Sequence, residues 1–291
     1  MHATGQEAND LIRSLLQSEN PCMIARFGKT EIEAVMAARY QNRFIFPWTR
    51  LYQIISLDVP YKGWKRIATK LCNLSGVFPA DEDTLHKFAD TYVSTMPAID
   101  IIGSWLHAER LLADIMPSVK RVPLGDIAPF FVENPWTQVL AGKRVLVIHP
   151  FESSIKKQYS KRHFVFADSN VLPDFDLITL RAAQTLGGRR DLPFCSWFDA
   201  LASMKEKIDD TKFDIAIIGA GAYGLPLAAH VKSIGKKAVH LGGSSQLLFG
   251  IYGKRWEDNP RIKSLINEHW IRPLDADRID GLEKIENGCY W

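Results

Sequence analysis

One turn in the second half of the chain has the residue types and spacing of a phosphate-binding motif. Gly219, Gly221 and Gly224 form a Gly-x-Gly-x-x-Gly pattern that follows the apolar run FDIAIIG and precedes a helical pattern. Glycines in this context allow backbone N–H groups and a helix N-terminus to approach a pyrophosphate. Tyr223 lies in the same turn and is included as a candidate contact. A purely structural explanation is equally good, because glycines also permit tight turns and close helix packing.

A second glycine turn follows at the next junction between a strand pattern and a helical pattern. Gly242 and Gly243 precede two serines and Gln246, and their backbone N–H groups would form a second anion-binding site. The serines alone are better explained as helix N-caps. The adjacent glycine pair favours ligand binding for the turn as a whole, with Gln246 as a further contact.

A histidine and two serines follow another strand pattern, RVLVI. His149 stands at the end of this pattern, with Ser153 and Ser154 shortly after it. A histidine at a strand end is well placed to contact phosphate or to act as a general acid or base. A buried structural histidine is an equally good interpretation. We therefore keep His149 as a candidate catalytic residue and the serines as candidate ligand contacts.

The first strand pattern also ends in residues that could bind an anion. Arg26, Gly28 and Lys29 join this strand to a helix whose first turn contains Glu31. An arginine beside a glycine turn can clamp phosphate, and a glutamate in a first turn can bind a metal or act as a base. The favourable interaction of an acid with the helix dipole is the alternative explanation of Glu31.

The candidate residues follow strand patterns, and these alternate with helical patterns along the chain. Strand patterns lie at 22–27, 97–102, 143–150, 175–182, 213–220 and 236–243, and helical patterns at 30–39, 81–95, 197–208 and 223–235. This alternation predicts an α/β fold, with a Rossmann-like, mostly parallel sheet and helices on both faces. Ligands of such sheets bind at the carboxyl ends of the strands. We therefore predict that the strands ending near Arg26, His149, Ile218 and Leu241 line one cleft.

Composition narrows the class of protein. The chain has 291 residues, of which 46% are hydrophobic and 24% charged, as in ordinary soluble proteins. Its net charge of +3 comes from scattered basic residues, so no nucleic-acid partner is expected. The four cysteines are far apart, which favours a reducing compartment. No signal peptide or membrane span is recognisable, and we expect a cytoplasmic protein.

Three segments together resemble a known family. ARFGKTE near the start, VLVIHPFESSIKKQY in the middle and IGAGAYGLPLAAHVKSIGKKAVHLGG near the end are similar to the GT-D-type glycosyltransferase fold, as found in proteins of bacterial surface-polysaccharide loci. The resemblance spans most of the chain. It implies a single domain over 1–291, with a subdivision near 135–142 as the alternative. It also implies a nucleotide-sugar donor, a saccharide acceptor and a place peripheral to a membrane assembly complex.

The resemblance further implies a divalent cation. In that family an Arg-Phe-Gly-Asp-Gly-Glu sequence follows the first strand, and its two carboxylates bind Mn2+ or Mg2+ at the donor diphosphate. Arg26, Phe27, Gly28 and Glu31 match this pattern, whereas Lys29 replaces the aspartate. Glu31 is therefore the candidate metal ligand, and the Lys29 ammonium is able to neutralise diphosphate without a metal.

Two other functions use the same residues. An NAD(P)-dependent oxidoreductase needs a carboxylate that binds a ribose hydroxyl. This carboxylate lies near the end of the strand that follows the glycine turn, roughly twenty residues after the glycines. That strand ends in His240-Leu-Gly-Gly243, so we expect no redox cofactor. A non-catalytic partner that binds sugar nucleotide or polysaccharide is favoured by Lys29 in place of the aspartate.

Overall fold

The fold is built on parallel strands, which the computed structural model describes over residues 3–40, 63–185, 194–278 and 288–291. In chain order the strands are β1 (Cys22–Arg26), β2 (Ile101–Ser104), β3 (Lys120–Pro123), β4 (Arg144–His149), β5 (Asp176–Arg181), β6 (Ile215–Ile218) and β7 (Lys237–His240). They form one sheet in the order β3-β2-β1-β7-β6-β4-β5, and every neighbouring pair is parallel. The predicted Rossmann-like α/β sheet is confirmed.

Helices cover both faces of this sheet. They are α1 (Gly5–Gln17), α2 (Lys29–Tyr40), α3 (Trp64–Ser75), α4 (Glu82–Thr95), α5 (Glu152–Tyr159), α6 (Trp197–Asp209), α7 (Gly224–Ser233) and α8 (Pro260–Lys263). Helices α2, α3, α4, α6 and α7 pack on one face, and α1, α5 and α8 pack on the other. The four predicted helical segments are confirmed to within a few residues.

The strands separate two hydrophobic cores because their side chains point alternately to opposite faces. Along β1, Met23 and Ala25 enter the core beneath α2, while Cys22 and Ile24 enter the core beneath α1. All four side chains are fully buried. Strands on both sides of the segment 135–142 belong to this one sheet. Among the described residues, no helix has the length and apolar character needed to cross a membrane.

The connections after neighbouring strands leave the sheet toward opposite faces at several places, among them the crevices between β1 and β7 and between β4 and β6. After β1 the chain enters α2 on one face, whereas after neighbouring β7 it enters a 3-10 segment, Gly242–Phe249, on the other face. After β4 it enters α5 on that second face, whereas after neighbouring β6 it enters α7 on the first. Diverging connections at the carboxyl ends of neighbouring strands leave room for a ligand.

The N-terminus of α5 is held by a carboxylate from a distant part of the chain. Asp277, which is fully buried, accepts hydrogen bonds from the backbone N–H groups of Ser153 at 3.0 Å and Ser154 at 2.7 Å. The Ser154 hydroxyl donates to the same carboxylate at 2.6 Å and accepts from the Leu274 N–H at 2.8 Å. The anion at this helix N-terminus is therefore supplied by the chain itself.

We predict that Asp277→Asn lowers the free energy of unfolding by about 1–3 kcal/mol, because the amide accepts fewer hydrogen bonds and brings no charge to the helix N-terminus. Asp275→Asn is the matched control, since Asp275 lies in the same turn and is exposed. Urea denaturation of both variants measures the difference. Equal stability of the two would contradict this role of Asp277.

Candidate functional site

A cavity of about 570 Å³ lies at the carboxyl ends of the strands, where the two crevices meet. Residues at or just after the ends of β1, β4, β6 and β7 line it, namely Arg26, His149, Gly219 and Leu241. The prediction that these four strand ends share one cleft is confirmed. Ten predicted site residues line the cavity: Arg26, Gly28, Lys29, Glu31, His149, Gly219, Gly221, Gly242, Gly243 and Gln246.

The other four predicted site residues do not line the cavity. Ser153 and Ser154 bind Asp277. Tyr223 is buried, its hydroxyl lies 2.9 Å from that of Thr185, and its ring stacks on Trp197 with the centroids 5.0 Å apart. Gly224 lies so close to the His240 ring that a Cβ would overlap it. Ser154, Tyr223 and Gly224 therefore make their contacts within the fold, and Ser153 contributes its backbone N–H.

The three glycines of the turn after β6 serve different purposes. A Cβ on Gly219 would overlap the Ser245 hydroxyl, and one on Gly224 would overlap the His240 ring. Both glycines therefore permit close packing, as the structural explanation predicted. Gly221 has a φ of +52° and open space where a Cβ would lie, and its exposed backbone lines the cavity.

Positive charge dominates the described wall of the cavity. Four cationic side chains line it, Arg26, Lys29, Arg255 and Arg261, against one carboxylate, that of Glu31. A concave wall with this excess of cations attracts anions such as phosphates. Arg255 and Arg261 were not among the sequence candidates, because Arg255 lies in a 3-10 turn and Arg261 in α8, and neither follows a strand.

The Arg26 guanidinium lies at the crevice between β1 and β7. Its guanidinium carbon lies 5.4 Å from the ring centroid of Trp105. Burial lowers the pKa of Arg26, while the nearby Glu31 carboxylate opposes that shift. No carboxylate of the described chain lies within ion-pair distance of this guanidinium. Arg26 remains charged, and an anionic ligand in the cavity would complement it.

Glu31 is placed by the glycine that precedes its helix. Gly28 begins α2, since its carbonyl accepts the Ile32 N–H at 3.0 Å. The Glu31 side chain folds back so closely over Gly28 that a Cβ there would overlap the carboxylate. Glu31 is therefore buried at the cavity wall, near Arg26, with an acceptor group directed at the site.

His149 is neutral and holds its hydrogen on Nε2. The Phe151 N–H donates to Nδ1 at 2.9 Å, so this nitrogen carries no hydrogen. Burial lowers the pKa of His149 to about 3, although Asp277 opposes the shift. In this tautomer His149 can donate a hydrogen bond to a ligand but cannot accept a proton at Nε2. Of the two predicted catalytic residues, His149 is therefore able to act as a hydrogen-bond donor but not as a base at Nε2, whereas Glu31 offers a carboxylate to the cavity.

Two large aromatic side chains at the cavity remain exposed. The rings of Trp105 and Phe131 are 44% and 39% exposed. The Trp105 indole N–H donates to the Phe27 carbonyl at 2.9 Å, and the Trp105 and Leu106 N–H groups donate to buried Glu109 at 3.2 and 3.1 Å. A fixed, exposed indole is a platform on which a sugar or base ring can stack. Trp105 was not among the sequence candidates, although it directly follows a strand, as those candidates do.

The cation implied by the family resemblance does not fit these residues. Glu31 is the only carboxylate on the described cavity wall, and Arg26 and Lys29 shortly precede it in sequence. Within the described ranges no group of three or more His, Cys, Asp or Glu side chains is arranged to hold a metal ion. Hard cations require several oxygen ligands, whereas this wall carries excess positive charge.

Comparisons of this chain with protein-family models, with curated proteins and with solved structures found no match.

We predict that His149 makes the protein sensitive to acid. Its folded pKa of about 3 lies below the ordinary value of 6.5, so the unfolded chain binds a proton first and stability is lost as the pH falls below 6.5. Between about pH 7.5 and about pH 5, the wild type should lose about 2 kcal/mol more stability than His149→Gln. Urea denaturation at both pH values measures this difference.

His86→Gln is the control for that measurement, because His86 lies on the surface of α4 beside Glu82. This variant should lose as much stability as the wild type over the same pH interval. If His149→Gln also loses as much as the wild type, His149 is not held neutral in the fold.

Proposed function

We propose that this protein is a glycosyltransferase that binds a nucleotide-sugar donor in the cavity and transfers the sugar to a saccharide acceptor. The observation that supports it best is the cavity itself, in which cationic side chains face exposed aromatic rings at the carboxyl ends of the strands. A sugar nucleotide combines the anionic diphosphate and the flat or apolar ring faces that such a wall complements.

The acceptor hydroxyl needs a base, because it is a poor nucleophile at neutral pH. In the proposed step its oxygen forms a bond to the anomeric carbon of the donor sugar. The bond from that carbon to the donor phosphate breaks, and its electron pair leaves with the nucleoside diphosphate. The hydroxyl proton passes to the Glu31 carboxylate, which lines the cavity and is buried.

The remaining site residues bind rather than react. The cations Arg26 and Lys29 offset the charge of the leaving diphosphate, and the neutral His149 donates from Nε2 to an oxygen of the donor or acceptor. The exposed backbone of Gly221 provides room for the ligand at the glycine turn. The family resemblance supports a role in bacterial surface-polysaccharide synthesis, in the cytoplasm and peripheral to a membrane assembly complex.

Binding without catalysis is the second candidate function, and it is favoured by one observation. Lys29 stands where the resembled family has a metal-binding aspartate, and its exposed side chain reaches the cavity wall. An oxidoreductase is less well supported, because β7 ends at His240 and the ring of that residue packs against Gly224. That strand end offers no carboxylate to a ribose.

We predict that Glu31→Gln lowers kcat for sugar transfer by about 100- to 10,000-fold, because the amide cannot take the acceptor proton. Donor binding should change little, since the variant keeps the size of the side chain. Glu33→Gln, in the same helix but paired with Lys70, is the matched control. Release of nucleoside diphosphate in the presence of acceptor measures kcat. Equal activities of the two variants would remove Glu31 from the reaction.

We also predict that nucleotide binding persists in EDTA and weakens in Lys29→Ala, because the ammonium neutralises part of the diphosphate charge. Lys29→Asp should make binding depend on manganese, since it restores the second carboxylate of the resembled pattern. Calorimetric titration of nucleotide into the three proteins, with manganese or with EDTA, is the measurement. Strict metal dependence in the wild type, or unchanged affinity in Lys29→Ala, would contradict the role of Lys29.

A further inference from the structure

We propose that the diphosphate of the ligand binds between Arg26 and Arg255, at the crevice between β1 and β7, and that Tyr290 is the positioning residue that holds Arg255 there. This inference rests on the proposed class of ligand and adds the place where its phosphates bind. It places the phosphates away from the glycine-rich turn after β6, because other side chains already occupy the space beside Gly219 and Gly224.

Arg26 crosses the crevice because Gly242 leaves room for it. A Cβ on Gly242 would lie 3.1 Å from Nη1 and 3.2 Å from Cδ of Arg26. Gly242 also has a φ of +61°, a conformation that other residues rarely adopt. The arginine from the end of β1 thus lies against the backbone that follows β7.

Arg255 reaches the same place through Tyr290. The Tyr290 ring packs over Gly243, where a Cβ would lie 2.5 Å from Cε1. The Tyr290 hydroxyl accepts a hydrogen bond from Nη1 of Arg255, and the guanidinium carbon lies 5.1 Å from the centre of the Tyr290 ring. Gly242 and Gly243 are adjacent, so Arg26 and the Tyr290 ring that holds Arg255 pack against one glycine pair.

Backbone hydrogen bonds fix this second half of the site. The Arg255 N–H donates to the Cys289 carbonyl at 2.8 Å, and the Lys254 N–H donates to the Trp291 carbonyl at 2.9 Å. The Gln246 side chain donates to the Tyr290 carbonyl at 3.3 Å. The predicted contact Gln246 is therefore part of the support for Tyr290.

The guanidinium groups of Arg26 and Arg255 line the same cavity wall, where their positive charges together attract an anion. The charge on Arg255 is close enough to contribute to lowering the pKa of Arg26, after the larger effect of burial. Each guanidinium can bind a phosphate group through two parallel hydrogen bonds. A diphosphate supplies one phosphate group for each arginine.

Calorimetric titration of inorganic pyrophosphate tests the site without a sugar or a base. Arg26→Gln and Arg255→Gln should each weaken pyrophosphate binding by about 10- to 100-fold, the usual effect of losing a charged hydrogen-bonded pair. Arg261→Gln is the matched control, because it removes the same charge from the same cavity wall but its guanidinium lies over Phe131, 4.5 Å from the ring centre. It should weaken binding less than threefold, roughly the effect of a screened, distant charge.

Arg255 is exposed, so its substitution should leave the fold intact, as a melting curve of each variant checks. Arg255→Lys keeps the charge but loses the planar fork, and it should bind with an affinity between those of wild type and Arg255→Gln. These two variants keep the proposal testable if Arg26→Gln fails to fold.

The role of Tyr290 requires a different readout. Tyr290→Phe keeps the ring over Gly243 and removes the hydroxyl, so it should weaken pyrophosphate binding by about two- to tenfold. This loss should disappear in the Arg255→Gln background, because Tyr290 acts through Arg255. A loss of equal size in both backgrounds would show that Tyr290 does not position Arg255.

The proposed site is overturned if wild type does not bind pyrophosphate, or if Arg255→Gln binds it as well as Arg261→Gln does. Sugar transfer is measured separately, with donor and acceptor, so either result leaves the glycosyltransferase proposal to be decided by that assay. Conversely, a protein that binds pyrophosphate between the two arginines but transfers no sugar supports this site and contradicts the proposed function.

Discussion

The site depends on connections that leave the carboxyl ends of neighbouring parallel strands toward opposite faces of the sheet. At β1 and β7, and again at β4 and β6, the connections leave the sheet toward opposite faces, so the strand ends are left uncovered. Residues far apart in sequence, such as Arg26 and Gly242, come into contact there. A cavity at this edge is a consequence of topology, and side-chain chemistry decides what it binds.

Charge is the second constraint on the cavity. Burial disfavours the charged form of Arg26, and Glu31 and the Trp105 ring only partly offset that cost. Burial also keeps His149 and His240 neutral, with the pKa of each lowered to about 3. The histidines therefore add hydrogen-bonding groups without adding charge. An anionic ligand would complement this cationic wall, and it would stabilise the fold as it binds.

The sequence predicted the parallel core well because buried strands such as β4 and β6 are continuous apolar runs. It missed β3, an edge strand in which Val122 alone is buried, and it placed β2 too early, because Pro97 lies in a 3-10 turn before it. The candidates at strand ends line the cavity, as predicted. Arg255 and Tyr290 could not be predicted, because tertiary contacts rather than strand ends bring them to the cavity. Local spacing also could not show that Asp277 occupies the helix N-terminus beside Ser154.

The central claim is that the cavity binds a nucleotide-linked sugar. A thermal-shift panel of nucleoside diphosphates, sugar nucleotides and NAD(P)H tests it most directly, because a ligand that binds only the native state stabilises it by about 2.7 kcal/mol at one hundred times its Kd. The account predicts that at least one sugar nucleotide and its nucleoside diphosphate raise the Tm by several degrees, while NAD(P)H does not. A rise with NAD(P)H alone, or with none of these compounds, would contradict it.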